Sequence, residues 1–522
     1  MKEFLIKRKR VFLILTPAFL GVLYMALCIF NLRQSIWFDE SFSSYLTRFD
    51  FRKIWNLTAA DVHPPLYYFL LKIWAHMFGH VDFAMRMMST VFGAVAILFA
   101  FLWLKYKYGL KAAMVASFLL SISPVFVRYG QEMRMYTMVL AIVFAATYFL
   151  QLAIDNGKKI WWIIYAVLVA AGMWTHYFAA FAWCAHLVYL LITYGVKGFF
   201  RHKIWAPYLL AVVLFLPWAP SLVAQVGNVE SNGFWIGPVS VSVMANYFAE
   251  GLFYMKAEEI QNWLLVLATA TVIVVLFLAV RYRKTFNMLL SLALVPLVLL
   301  VLLSLPPLNP VFIPRYIMYA MLAIPLIAGV GLVMLINELS MKKRKKLHLL
   351  QNPTLVGFSF MAILVSSSIV GIATVYEKGN YNIYTDTKSA SKDLYNAIID
   401  LDNGEGLPTI VNSAWLYYDL SAYTSEENPI LFINEQTDYR YGSMEPLKQS
   451  YFGRIDNLDK WLEEHESFWY VGTAPEEGSE EPYLVFPRDG WRVAEVSSMK
   501  FNNYSDEYQI LKITRDEVYN ND

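Results

Sequence analysis

The sequence predicts an all-α polytopic membrane protein of about eleven spans, followed by a small α/β domain. Three observations predict it. Of the 522 residues, 58% are hydrophobic and only 16% charged, with a mean hydropathy of +0.43, whereas an ordinary soluble domain is about a quarter charged. The apolar residues gather into blocks of about 20, the length that carries a helix across a bilayer core. The stretch from about 378 to 522 loses this character and turns acidic and polar.

The chain opens MKEFLIKRKR, and an apolar run follows from Val11 to Phe30. A secretory leader starts the same way. This run is a full span long and no small-x-small pattern follows it before Asn31, so it reads as a retained first helix. Ten more spans are expected at 84–104, 111–127, 135–153, 160–175, 177–194, 204–222, 261–280, 287–304, 316–337 and 354–374. Segment 65–79 is apolar but short, which suits a re-entrant or interfacial helix. Many of the 16 Trp and 34 Tyr sit at the ends of the apolar blocks, as in interfacial aromatic belts. Cys28 and Cys184 both lie inside apolar blocks, which argues against a disulfide framework and for small buried apolar residues. A net charge of +2 carries no nucleic-acid signal.

With the first residues in the cytoplasm, the cytoplasmic connections are KYKYGLK (105–111), DNGKK (155–159), KGFFRHK (197–203), RYRK (281–284) and MKKRKK (341–346). All are basic. The opposite connections, including Thr175-His176, 225–259 and PPLNPVFIP (306–314), are not rich in Lys or Arg. This is the positive-inside pattern. The first outer loop, 31–83, carries Trp37, Phe38, Trp55 and Trp74 and is expected to lie along the membrane surface as short amphipathic helices. The domains expected are therefore a membrane domain, 1–377, and an extracytoplasmic α/β domain, 378–522. The latter is rich in acids such as Glu463, Glu464, Glu476 and Glu477. A helix is expected at Ser389–Leu401 and strands at Thr409–Asn412, Ile430–Ile433, Phe468–Val471 and Tyr508–Ile513.

Ionisable residues in or beside spans are costly to keep and point to function. Asp39 and Glu40 follow the first span, and His63 precedes Pro64-Pro65. Arg86 opens the second span. Arg128, Glu132 and Arg134 lie in RYGQEMRMY, His176 lies between spans five and six, and Arg315 opens span ten. All map to the outer side in this topology. Acids and cations together suit sugar transfer from a phosphate. Cations stabilise the charge that grows on the departing phosphate, arginine's planar fork matches phosphate oxygens, and a carboxylate takes the acceptor's proton. Each residue also has a structural alternative. Arg128 or Arg134 can pair with Glu132 at a helix end, Arg86 can snorkel, His63 can shape a turn, and His176 can cap a helix. Asp39-Glu40 can serve the dipole of a helix beginning near Ser41.

WFDE after the first span, HPPLYYFLL, DFAMRMMSTVFG, SPVFVRYGQEMRMYTMVL and IPRYIMYAMLAIP together resemble the bacterial protein-mannosyltransferase-like glycosyltransferases of family 39, with the GT-C membrane fold. The aminoarabinose transferase of lipid A is a more distant likeness. The match is dense over about 31–153 and thinner over 160–340. The resemblance implies a polyprenyl-phosphate-sugar donor lipid, a cell-surface acceptor, inversion at the anomeric carbon and Asp39 as general base, with Glu40 binding or orienting the acceptor. It implies phosphate or sugar contacts from Arg86, Arg134 and Arg315. His63 stands where the aminoarabinose transferase has a phosphate-binding lysine. An imidazole, with an ordinary pKa of about 6.5, offers a hydrogen bond rather than a fixed charge. Glu132 shares the Arg134 motif. No cofactor is indicated, and no metal-ligand set such as HExxH occurs. Two other classes fit a polytopic chain. A flippase of lipid-linked sugars would carry charges near the bilayer midplane, and a surface-polymer binding protein would work without Asp39.

Overall fold

A computed structural model describes residues 2–201, 204–232, 236–342, 352–379, 389–425, 427–436, 442–450, 452–473, 489–500 and 507–516. The basic residues 343–346 and the acids Glu476 and Glu477 lie outside these segments. The contacts divide the chain into two compact units. One holds 1–32, 63–74 and 83–378. The other holds 33–62, 75–82 and 379–522.

The first unit is helical. Among the described residues, seven helices are long and apolar enough to cross a membrane: Asp82–Tyr108, Tyr136–Asn156, Ala179–Phe200, Trp205–Asn228, Asn262–Arg281, Pro314–Met341 and Pro353–Lys378. Three further apolar helices, Ile14–Ile29, Lys159–Thr175 and Asn287–Leu302, are shorter. Each expected span coincides with a helix, but 111–127 is not one straight rod. It is a pair, Leu110–Ser121 and Pro124–Gly130, bent by 61°. The bend sits before Pro124, whose ring disfavours helical backbone at Ser123, and Pro124 then starts the second helix, where its missing N–H costs nothing. The chain therefore turns at the end of this pair instead of running on. The 13-residue helix Leu66–Phe78 occupies the short apolar segment.

Small residues let these helices approach. A Cβ on Gly329 would stand 2.4 Å from the Ala116 backbone, so helix Met318–Lys342 rides directly against Leu110–Ser121. Leu119, Leu278, Leu332 and Leu364 pack into one buried cluster from four helices. The whole run from Pro124 to Thr147 is buried.

The second unit contains a six-stranded mixed sheet. Its strands are β1 (Thr409–Val411), β2 (Ile430–Ile433), β3 (Arg454–Ile455), β4 (Ser467–Thr473), β5 (Trp491–Lys500) and β6 (Glu507–Arg515). They lie in the order β3-β2-β1-β4-β6-β5. The first four are parallel, while β6 runs antiparallel between β4 and β5. Strands β1 and β2 and the middle of β4 read as short apolar runs, as buried parallel strands do. Ile410, Ile433, Ile455, Phe468 and Ile513 form the core. Strand β5 was not expected, because it is mostly exposed and alternates weakly. The two-residue β3 is too short to leave a pattern. The expected helix at 389–401 is Ser391–Asp402. Its last residue, Asp402, accepts hydrogen bonds from the Gly406 and Leu407 amides and the Trp469 indole, tying the helix to β4.

The first outer loop departs from expectation. Rather than staying with the spans, residues 33–62 and 75–82 pack with 379–522. Two helices form there, Phe38–Leu46 and Phe51–Ala60. Their apolar faces lie on protein. Phe38 meets Trp415 at 4.3 Å between ring centroids, and Tyr45 meets Tyr418 at 5.3 Å. Tyr45 and Tyr418 are fully buried there.

Candidate active site

In the first unit the site is built around the turn between Pro124–Gly130 and Tyr136–Asn156. Helix Asp82–Tyr108 fixes it from one side. The Ser89 hydroxyl donates to the Arg134 carbonyl (3.1 Å), and the Thr90 hydroxyl donates to the Gly130 carbonyl (2.7 Å). The first helix fixes the other side, with the Tyr24 hydroxyl on the Phe126 carbonyl (3.2 Å) and the Asn31 amide on Gln131 (3.4 Å). Cys28 donates to the Val127 carbonyl (3.6 Å), so this thiol is a packed neighbour of the turn and not half of a disulfide.

This scaffold brings Arg134 to His63. Arg134 Nη2 lies 3.2 Å from His63 Nε2, and Nη1 donates to the Tyr68 hydroxyl at 3.4 Å. His63 comes from the bend before Pro64-Pro65, and Tyr68 from the helix that follows. His176 joins them. Its ring centroid is 6.1 Å from that of His63 and 5.1 Å from Tyr316. Arg315 sits in the turn Pro314–Ile317, where Pro314 opens the helix, and its guanidinium lies 5.8 Å from the Tyr136 ring centroid. Arg134, His176 and Arg315 are all buried. Burial first, and then the charges of His63, Arg134 and Arg315, hold the His176 imidazole well below its ordinary value. His176 is therefore neutral at physiological pH, and its buried Nδ1 has no hydrogen-bond partner among the described residues. Two buried arginines, the buried His176 and the partly buried His63 form a preorganised setting for an anion. At an effective dielectric of about 20, each such charge is worth roughly 4 kcal/mol to an anion 4 Å away.

The other cations take different roles. Arg86 is buried and donates to the Leu32 carbonyl at 3.2 Å, so it ties the start of its helix to the end of the first. Arg128 pairs with Glu132 at 3.0 Å, with both side chains buried. Sequence reasoning passed over Glu250, a fully buried acid that accepts from the Tyr129 hydroxyl at 2.9 Å. A lone acid in MANYFAEGLF was the available signal. Glu132 is thus paired with Arg128, next to the Tyr129 whose hydroxyl Glu250 accepts.

Asp39 and Glu40 lie in the second unit. They occupy the first turn of helix Phe38–Leu46, where negative charge suits the helix dipole. Glu40 is buried, and its carboxylate accepts from the Trp37 amide at 3.4 Å. The next residue, Ser41, donates its hydroxyl to Asp419 at 2.8 Å. Asp419 comes from helix Ala414–Ser421. Burial pushes the Asp419 carboxyl up to about 7, and the negative charges of Glu40 and Asp39 add to it against the pull of the Ser41 hydrogen bond. A single acid between aromatic residues in AWLYYDLS was the only hint of Asp419 in the sequence. Among the described residues, no group of three or more His, Cys, Asp or Glu side chains is arranged to hold a metal ion.

Comparison with known proteins agrees with this architecture. Residues 62–221 match the family model described as dolichyl-phosphate-mannose-protein mannosyltransferase. YkcB of Bacillus subtilis (strain 168), which carries a provisional mannosyltransferase name, is 28% identical over 118 residues, or 23% of this chain and 16% of that protein. The apo structure of ArnT from Cupriavidus metallidurans superposes with a TM-score of 0.61 at 12% identity, covering 97% of this chain and 98% of that one. ArnT bound to undecaprenyl phosphate gives 0.57 at 13% identity, covering 96% and 97%. The Archaeoglobus fulgidus oligosaccharyltransferase AglB, in complex with an inhibitory peptide and a dolichol-phosphate, gives 0.53 at 12% identity over 89% of this chain and 70% of that one. The fold likeness runs the length of the chain, and the sequence likeness falls on the segment that carries His63, Arg86, Arg134 and His176. On both grounds the chain is a multi-pass membrane protein with the GT-C fold, similar over residues 62–221 to the mannosyltransferase family model.

Proposed function

We propose that the protein transfers a sugar from a polyprenyl-phosphate carrier to a cell-surface acceptor at the extracytoplasmic face of the membrane. The observation that carries this reading is the largely buried group of Arg134, His63, His176 and Arg315. It offers fixed positive charge from the two guanidiniums and hydrogen bonds from the imidazoles, which is the provision a departing phosphate requires. ArnT, the structural neighbour, has been seen with undecaprenyl phosphate, and AglB with a dolichol-phosphate, which supports a carrier of this chemistry.

In the reaction an acceptor hydroxyl gives its proton to the Asp39 carboxylate as its oxygen attacks the anomeric carbon. The bond from that carbon to the phosphate oxygen breaks, and its electron pair leaves with the polyprenyl phosphate. A single displacement inverts the anomeric centre. Arg134 and Arg315 stabilise the charge that accumulates on the phosphate, and His63 adds a hydrogen bond. Arg86 ties the start of helix Asp82–Tyr108 to Leu32, just past the first helix. Glu40 orients the acceptor. The arginines supply the positive charge this step needs, so transfer is expected to persist in EDTA. The basic connections 155–159 and 281–284 support a cytoplasmic side for these loops, which puts the second unit outside.

The test compares purified wild type with Asp39→Asn, each given labelled polyprenyl-phosphate hexoses and membrane extract from the parent cell. Wild type should transfer label from one donor. Asp39→Asn should lose about 100-fold or more in kcat while still binding that donor. Equal transfer by both removes Asp39 as the base. Movement of labelled lipid across vesicles without covalent transfer replaces the enzyme by a flippase.

A further inference from the structure

The second unit holds a carboxylate that the transfer reaction as written above does not use. Asp419 accepts the Ser41 hydroxyl at 2.8 Å, and Ser41 directly follows Asp39-Glu40 in helix Phe38–Leu46. Ser41 also reaches back to the Trp37 carbonyl at 3.2 Å, so the hydrogen bond to Asp419 grips the first turn and not a loose side chain. The helix that carries Asp419 supplies the rest of the seat. Trp415 and Tyr418 pack on Phe38, and Tyr417 and Tyr418 pack on Tyr45. Beyond the helix, Arg48 donates to the Ser421 carbonyl at 2.6 Å. Ahead of it, the Ile36 amide donates to the Tyr423 hydroxyl at 3.1 Å, and Ser391 donates to the Ile36 carbonyl at 2.9 Å. Apart from the Ser41–Trp37 contact, every polar tie in this set joins the acid-bearing segment to residues 391–423.

We infer that Asp419 is a positioning residue for the Asp39–Glu40 pair: it fixes the first turn of helix Phe38–Leu46 through Ser41 and faces the two acids as a third carboxyl. The inference deepens the glycosyl-transfer reading, because it assigns part of the base's placement to the C-terminal segment. Aromatic packing alone would hold the helix axis yet leave it free to rotate. A hydrogen bond to the first turn fixes which way the two acids point, and small misplacements of a reacting group cost rate steeply. The groups facing Asp419 are Asp39, Glu40 and Ser41. Of the other elements packed on its helix, β1 and β2 carry no charge, and Lys392 of helix Ser391–Asp402 pairs with Asp82 at 3.9 Å.

The experiment uses the full chain in detergent and reads amide hydrogen exchange before activity. In Asp419→Ala the amides of 38–46 should exchange about tenfold faster or more, while those of β1 and β4 keep wild-type protection. Ser41→Ala, which removes the same bond from the other side, should do the same. Asp419→Asn keeps an acceptor for Ser41 and should retain protection. With a productive donor, the Ala variant should lose about tenfold in kcat at unchanged donor KM. The Asn variant should lose a kcat inflection near pH 7 that wild type shows. Wild-type exchange of 38–46 in both Asp419→Ala and Ser41→Ala overturns the inference, as does loss of protection spread evenly over the unit. If the exchange result holds but wild type transfers no sugar from any carrier, the positioning role stands and the transfer reading falls.

Discussion

Arg134 and Asp419 show how a charged side chain is governed by what surrounds it. Arg134 reaches an imidazole and a phenol from within a buried turn. A lysine there would keep the charge and lose the fork, so Arg134→Lys should lower kcat by about 100-fold with the melting temperature little changed. Asp419 carries a folded-state pKa of about 7 against about 3.9 in an unfolded chain. Between those values the folded protein retains a proton that the unfolded chain has released. Stability therefore falls as pH rises through that window. Asp419→Asn, which cannot ionise, should melt at least 2 °C above wild type at pH 8 and level with it at pH 4, by thermal unfolding of the full chain.

At the scale of elements, the proline break before Pro124 and the small residues between helices matter most. Gly329 sits where any Cβ would run into the Ala116 backbone at 2.4 Å. Gly329→Val should force Met318–Lys342 away from Leu110–Ser121 and cut the yield of folded protein several-fold, as judged by monodisperse elution in detergent. Gly227 has nothing within 4 Å of its Cβ position, so Gly227→Ala should elute as wild type does. The contrast separates helix approach from helix propensity, since alanine favours a helix by about 1 kcal/mol over glycine. Apolar blocks located these helices well. The break within 111–127 was legible in hindsight from SISP, yet an apolar window averages over it. Strand β5 escaped because its residues are mostly exposed and carry little alternation.

At the scale of the whole molecule, two outcomes test the organisation. Single cysteines at Lys158 and Lys284 should label only from the cytoplasmic side, and one at Asp459 only from outside, in a chain whose Cys28 and Cys184 are replaced by Ala. Labelling of all three from one side would reject the orientation. A chain ending at Lys378 should insert its helices but transfer no sugar, because residues 33–62, with Asp39 and Glu40, pack on what was removed. Full transfer to the natural acceptor by this truncated chain would leave that packing without catalytic meaning.

Apolar block length and the motifs around Asp39, His63, Arg86, Arg134 and Arg315 determined the membrane fold and the list of candidate residues. Both depend on local composition: a bilayer span needs a fixed length of apolar chain, and an ionisable residue beside it stands out wherever it falls. The tertiary structure alone decided the groupings. It brought Arg134 to His63 and His176 across more than 40 residues on either side. It set Glu250 against Tyr129, and it seated the Asp39 helix on residues 391–423 with Asp419 against Ser41. Such groupings rest on contacts between residues tens to hundreds of positions apart, and no local pattern of side chains records which distant partner a buried charge will meet.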